Sequence, residues 1–194
     1  MRLPRPSRAQ LGAGALVLAA LSLGRVVTEW LPEGPSPVRP FERATTVGHP
    51  AHLRYADVVV SRVDGGRQLS TTTEAMLSPD LWVTVEAEVT PTLDNTAFGW
   101  AELRDGRGRV VSLGTRNVLR CELTNPGIPG HCITAFEVDH DALPGSHLVL
   151  GRSADDQRGD DQAVVDLGIT RADVAQWRAR TTPVELALPE EDAR

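Results

Sequence analysis

Residues 81–89 read Leu-Trp-Val-Thr-Val-Glu-Ala-Glu-Val, and this alternation decides the fold class. Successive side chains of a strand point to opposite sides, so Leu81, Val83, Val85, Ala87 and Val89 share one face while Trp82, Thr84, Glu86 and Glu88 share the other. The reading is a half-buried strand with its aliphatic face in the core. Val58, Val60, Ala101, Leu103 and Phe136, from other apolar runs, are expected to face it. Trp82 and Trp100 fall opposite the aliphatic sets, as a second layer of core or as exposed binding residues.

Outward from this strand, residues 55–63 form a β-branched run that ends at Asp64-Gly65-Gly66, a turn signal. Downstream, 98–103 and 110–113 flank Arg-Asp-Gly-Arg-Gly-Arg, where Asp105-Gly106 and Gly108 supply the positive φ of a tight hairpin. Further short runs follow at 117–123, 131–138, 146–150 and 163–167, each bounded by Gly, Pro or Asp. Short strands at regular spacing without an intervening helical period predict an all-β fold, an antiparallel β-sandwich over residues 53–169. Residues 70–76 are weakly patterned and read as a loop or an edge strand. Thr170 and Asp173 have capping-box spacing ahead of Val174 and Trp177, which predicts one short C-terminal helix over 171–179 within a terminal segment 170–194. Residues 183–189 form a final strand or an ordered tail.

Upstream, Arg2, Arg5 and Arg8 precede an uncharged, Leu- and Ala-rich run from 9 to 24. Its length falls between a signal-peptide core and a full spanning helix, so segment 1–31 reads as an uncleaved transmembrane anchor, with a cleaved signal as the alternative. Either way the N-terminal arginines stay in the cytoplasm and the chain after about residue 30 is translocated. The expected location is therefore the cell membrane, single-pass with the C-terminal domain outside, or secretion after cleavage. Residues 32–52, with five prolines in the first nineteen positions, read as a stiff linker.

The two cysteines, Cys121 and Cys132, flank the turn-rich stretch Asn125-Pro126-Gly127 and Pro129-Gly130. An even count in an exported chain, at the two ends of a short loop, predicts a disulfide. A metal pair is disfavoured, because the spacing fits no zinc pattern.

The order of LWVTVEAEV, RDGRGRVVSL, FEVDHDALPGSHLVL and VVDLGI resembles a bacterial extracytoplasmic immunoglobulin-like domain of unknown function, found in envelope proteins behind a lipobox or a single anchor. The resemblance covers about residues 54–169, with the strand, Pro-Gly turn and strand matching 136–139, Leu143 to Gly145, and Leu148. It implies an immunoglobulin-like sandwich and no catalytic residues.

The net charge of −6 over 194 residues, with all twenty basic residues Arg, lacks the clustered basic face that a nucleic-acid partner requires. No G-x-S-x-G occurs, and His49, His52, His131, His140 and His147 have no spacing tied to a Ser or Cys nucleophile, so no catalytic residue, cofactor or enzyme activity is expected. The inviting cluster is acidic: Glu137, Asp139 and Asp141, then Asp155, Asp156, Asp160 and Asp161, with His140 and His147 nearby. Without an EF-type loop and with Arg158 in its midst, the segment reads as solvated and not as a calcium site. The expected role is a membrane-anchored, non-catalytic interaction module of the cell envelope with a protein partner. The alternative is a secreted sandwich that binds a metal ion or small ligand through segment 137–161.

Overall fold

Eleven strands form two sheets: β1 (Phe41–Thr46), β2 (Pro50–His52), β3 (Ala56–Ser70), β4 (Ala75–Pro91), β5 (Trp100–Arg104), β6 (Val110–Ser112), β7 (Val118–Cys121), β8 (Gly130–Val138), β9 (His147–Gly151), β10 (Asp161–Asp166) and β11 (Val184–Glu185). A helix, α1 (Arg171–Ala179), and a 3-10 turn (His140–Ala142) accompany them. The computed structural model describes residues 22–23, 40–71, 75–153 and 160–186. The expected anchor or signal segment and residues 32–39 lie outside the described residues, apart from Ser22 and Leu23. Among the described residues no helix is long and apolar enough to cross a membrane.

The first sheet has the order β1-β10-β9-β5-β6 and the second β11-β3-β4-β8-β7, with β2 also paired to β3. One hydrophobic cluster joins them. Leu81, Val83, Val85, Ala87 and Val89 of β4 meet Val58, Val60 and Phe136 of their own sheet and Ala101, Leu103, Leu148 and Val165 of the other. Each is at most 2% exposed, so the register read from the alternation holds. Burying one such aliphatic side chain contributes roughly 1.5–3 kcal/mol.

The opposite face of β4 is also closed. Trp82 is fully buried in a second cluster with Leu69, Ile133, Ala135, Val184 and Leu186, while Glu88 further along meets water. At the edge of the same sheet β11, paired to β3, supplies Val184, and Leu186 follows it, so the terminal segment is strand as well as helix.

Three expectations change. The linker expected at 32–52 contains strands at 41–46 and 50–52. β1 pairs in parallel with β10, from Phe41 opposite Asp161 to Thr46 opposite Asp166, and β2 pairs with β3. Almost every β1 side chain is exposed, so this edge strand is held by main-chain bonds and carries no apolar alternation to read. Secondly, the sheets are not wholly antiparallel, because β1 on β10 and β11 on β3 are parallel.

Thirdly, Asp64-Gly65-Gly66 does not turn. β3 continues through it to Ser70, Gly65 opposite Val83 and Gly66 opposite Trp82, and pairs onward with 75–77 of β4. A Cβ on Gly65 would sit 2.5 Å from the Trp177 ring, and one on Gly66 2.8 Å from Val184. These glycines admit α1 and β11 against the strand, the close-approach use of glycine within a sheet.

Cys121 and Cys132 form the disulfide and lie directly opposite each other on β7 and β8. The neighbouring pair, Glu122 and His131, carries the ladder hydrogen bond from the Glu122 N–H to the His131 carbonyl at 2.9 Å. The cysteines thus occupy a non-hydrogen-bonded pair, where backbones approach most closely, with Cα atoms 4.1 Å apart. Cys132 packs in the inter-sheet core.

Candidate functional site

The end of the sandwich remote from Phe41 gathers most of its unusual polar chemistry, where the β5–β6 hairpin meets the 3-10 turn and α1. Asp105 organises the hairpin. Its Oδ1 accepts from the backbone N–H groups of Arg107 (2.9 Å) and Arg109 (2.8 Å), and its Oδ2 from Arg109 Nε (2.6 Å). Burial alone would raise this carboxyl, yet the Arg109 and Arg107 hydrogen bonds outweigh it and hold Asp105 below the usual carboxylate range. Gly108 has the positive φ expected of the hairpin, whereas Gly106 serves approach, since an added Cβ would collide with the Pro144 carbonyl oxygen. The Gly106 N–H donates to the Ala142 carbonyl at 2.7 Å, which seats the hairpin on the turn.

Asp139 caps that turn. It accepts from the Asp141 N–H (3.0 Å) and from Arg107 (3.2 Å) and Arg109 (3.4 Å). The Asp141 N–H, joined by the two arginines against a burial penalty, lowers its pKa. Asp80 of β4, next to the end of the β4–β8 ladder, accepts from the His140 N–H at 3.1 Å and lies 2.9 Å from His140 Nδ1. His140 Nε2 stands 3.3 Å from Asp141.

Asp80, Asp139 and His140 bring ligand-type atoms within 4.8 Å of one another. The set does not suit a cation: Asp139 is neutralised by two guanidiniums and His140 Nδ1 is engaged by Asp80, so a metal would displace an ion-pair network already satisfied.

The structure splits the acidic segment. Glu137 lies 3.3 Å from Arg116, and Asp139 and Asp141 belong to the turn. Asp160 and Asp161 stand at the opposite end, since β9 runs between the two groups. There Asp161 accepts from Arg43 (3.2 Å) and the Arg54 N–H (2.9 Å), and Asp160 from Arg54 Nη2 (2.7 Å). Asp155, Asp156 and Arg158 lie outside the described residues. His147 is half-buried at the start of β9. Trp82 is core, with the Arg116 guanidinium 5.3 Å from its ring centroid, and Trp100 is half-buried against Gly151.

A groove of about 460 Å³ adjoins this corner, lined by Arg107, His140, Asp141 and Pro144 on one side and by Arg171, Val174, Ala175 and Arg178 of α1 on the other. The helix is fixed by its capping box. The Thr170 side chain accepts from the Asp173 N–H at 3.2 Å, and Asp173 Oδ2 accepts from the Thr170 N–H at 2.9 Å. Val174 and Trp177 are buried beneath it. Neither Asp80 nor Arg107, Arg109, Arg171 and Arg178 stands out in the sequence. Asp80 meets His140 across sixty positions, which no local pattern announces. A better signal was the helix itself, whose spacing places Arg171, Val174, Ala175 and Arg178 on one face.

Two packed sheets sharing one core make the protein a β-sandwich. Among solved structures it is similar to the YjhA protein from Bacillus subtilis, at 14% identity and a TM-score of 0.46, over 63% of this chain and 99% of that one. It is also similar to an uncharacterised β-sandwich protein from Clostridium difficile 630, at 8% identity and a TM-score of 0.43, over 70% of this chain and 98% of the other. No family model and no curated protein matches the sequence.

Proposed function

We propose that this chain is a membrane-anchored, extracytoplasmic interaction module of the cell envelope, immunoglobulin-like in type, which binds a partner and performs no catalysis. The observation that carries the reading is the Cys121–Cys132 disulfide, because such bonds persist in oxidising compartments and are rare in the cytosol. The arginine-flanked apolar run at 9–24 supports the same placement. Support for the immunoglobulin-like type comes from connectivity. From β4 to β10 the chain alternates between sheets, with β4-β8-β7 in one and β10-β9-β5-β6 in the other and with hairpins at β5–β6, β7–β8 and β9–β10. The absence of catalysis is supported by the histidines. Among the described residues the His49, His52 and His140 rings are already engaged by Thr46, Asp57 and Asp80.

Fractionation of cells expressing the full chain tests the reading. The protein is expected in membranes, uncut, with its C-terminal domain cleaved by protease added from outside the cytoplasmic membrane. Recovery from the cytosol with two reactive thiols overturns it, and a shortened soluble form outside the cell replaces the anchor with a cleaved signal.

A further inference from the structure

The groove between the 3-10 turn and α1 has a charge that its own surroundings do not neutralise. Most described arginines pair with a carboxylate, as Arg43, Arg54, Arg62 and Arg104 do. Arg171 and Arg178 make no ion pair among the described residues, are exposed, and line the same groove. In a chain of net charge −6, two unpaired cations on one groove are a local reversal of sign. Arg171 also occupies the first turn of α1, where the helix dipole disfavours a cation, so helix stability does not explain it. Across the groove the Arg107 guanidinium is paired with Asp139 (3.2 Å) and Asp141 (3.9 Å), and Asp141 also meets His140, so Arg171 and Arg178 carry the charge left over.

Spacing narrows the ligand. Seven residues of helix set the Arg171 and Arg178 Cα atoms about 10 Å apart. That is about one turn, three residues, of a polyproline-II chain, in which side chains three positions apart share a face. Between the two cations lie the exposed Ala175 and, opposite, the half-buried Pro144, with Val174 buried beneath. A phosphate would leave Ala175 and Pro144 uncovered, whereas a short polyproline-II peptide would lie across them. The groove's volume lies within the range of ligand clefts.

We propose that this groove binds an acidic peptide segment of a partner protein in the polyproline-II conformation, with carboxylates three positions apart on Arg171 and Arg178 and the intervening residues against Ala175 and Pro144. The proposal rests on the interaction-module reading above and names the partner's chemistry. It fails separately, because fractionation tests placement and peptide titration tests the groove.

The probe is a fluorescein-labelled Gly-Glu-Pro-Val-Glu-Gly peptide titrated with the detergent-solubilised full-length protein and followed by anisotropy. Saturable binding is expected, weakening as salt rises because exposed charge pairs are screened. Arg171→Ala/Arg178→Ala should weaken it about tenfold, each exposed pair being worth up to about fivefold. Arg67→Ala/Arg120→Ala, which removes two exposed arginines outside the groove and gives the same net charge, should change it less than about twofold. All four side chains are partly or wholly exposed, so the melting temperatures of both variants are expected to match the parent.

No saturable binding overturns the proposal, as does equal weakening by the two double variants, which would mean diffuse charge attraction. Equal binding of the Gln-for-Glu peptide, or full displacement by an equal concentration of inorganic phosphate, also overturns it. Tighter binding on removal of residues 187–194 would assign the groove to the chain's own Glu190-Glu191-Asp192 and overturn it equally.

Discussion

Gly65 shows how a residue's chemistry can be read correctly and its use misread. Next to Asp64 and Gly66 it resembles a turn, yet its backbone is strand and its missing side chain makes room for Trp177. Gly65→Ala places a methyl group 2.5 Å from that ring and 2.9 Å from the Trp82 carbonyl oxygen, contacts that a buried indole and a ladder backbone cannot yield cheaply. The expected cost is about 1–3 kcal/mol, a fall in melting temperature of roughly 2–4 °C per kcal/mol. Gly114→Ala, with no atom within 4 Å, is the neutral control, and equal melting temperatures for the two variants would refute the close-packing role. Carboxyl groups at this end set the acid limit. Asp105, Asp139 and Asp173 all have lowered pKa values, so each contributes stability above its unfolded value near 4 that is lost as pH falls through the lower folded values. Melting temperature is therefore expected to hold down to about pH 4 and to fall below it, and Asp105→Asn should flatten part of that decline. A melting temperature constant from neutrality to about pH 2 would contradict this linkage.

Elements differ in what holds them. β4 is held by side chains: Val85 is 1% exposed in the inter-sheet core while Glu86 beside it reaches Arg62 at 3.3 Å on the surface. Val85→Asp buries an unpaired carboxylate at a cost of several kcal/mol against a total of about 5–15, and is expected to unfold the domain. Glu86→Ala loses a surface ion pair worth at most about 1 kcal/mol, so similar thermal shifts for the two would mean that the strand register is wrong. β7 is held differently. It is an edge strand of four residues, and the disulfide ties it to β8 across a loop of sequence separation 11. Cys121→Ala/Cys132→Ala is expected to lose about 3 kcal/mol through the freed loop, with faster amide exchange confined first to 118–121. Protein purified without reductant should take up no thiol reagent until unfolded and reduced, when it should take up two equivalents, one for each cysteine of the pair. β1 is held by backbone pairing and by surface ion pairs of Glu42 with Arg104 and of Arg43 with Asp161, and it has no buried apolar face, which is why neither its presence nor its parallel direction was legible in Phe41-Glu42-Arg43-Ala44-Thr45-Thr46.

Across the whole molecule, what sequence could determine is what depends on local periodicity and local turn chemistry. The alternation at 81–89, the Gly108 hairpin, the Thr170–Asp173 capping box and the paired cysteines each specify an element or a bond from residues close in the chain, and each is present. Tertiary structure alone decided three further matters. It added terminal strands in parallel at sheet edges, where pairing partners lie over a hundred residues apart. It turned two turn-like glycines into seats for α1 and β11. It also divided the acidic run 137–161 between opposite ends of the sandwich while joining Asp80 to His140 and setting Arg171 and Arg178 opposite Arg107. The physical reason is common to all three. Side-chain period and φ preference are properties of a few neighbouring residues, whereas ion-pair partners, close backbone approach and edge pairing are set by which surfaces the two sheets bring together when they bury their shared core.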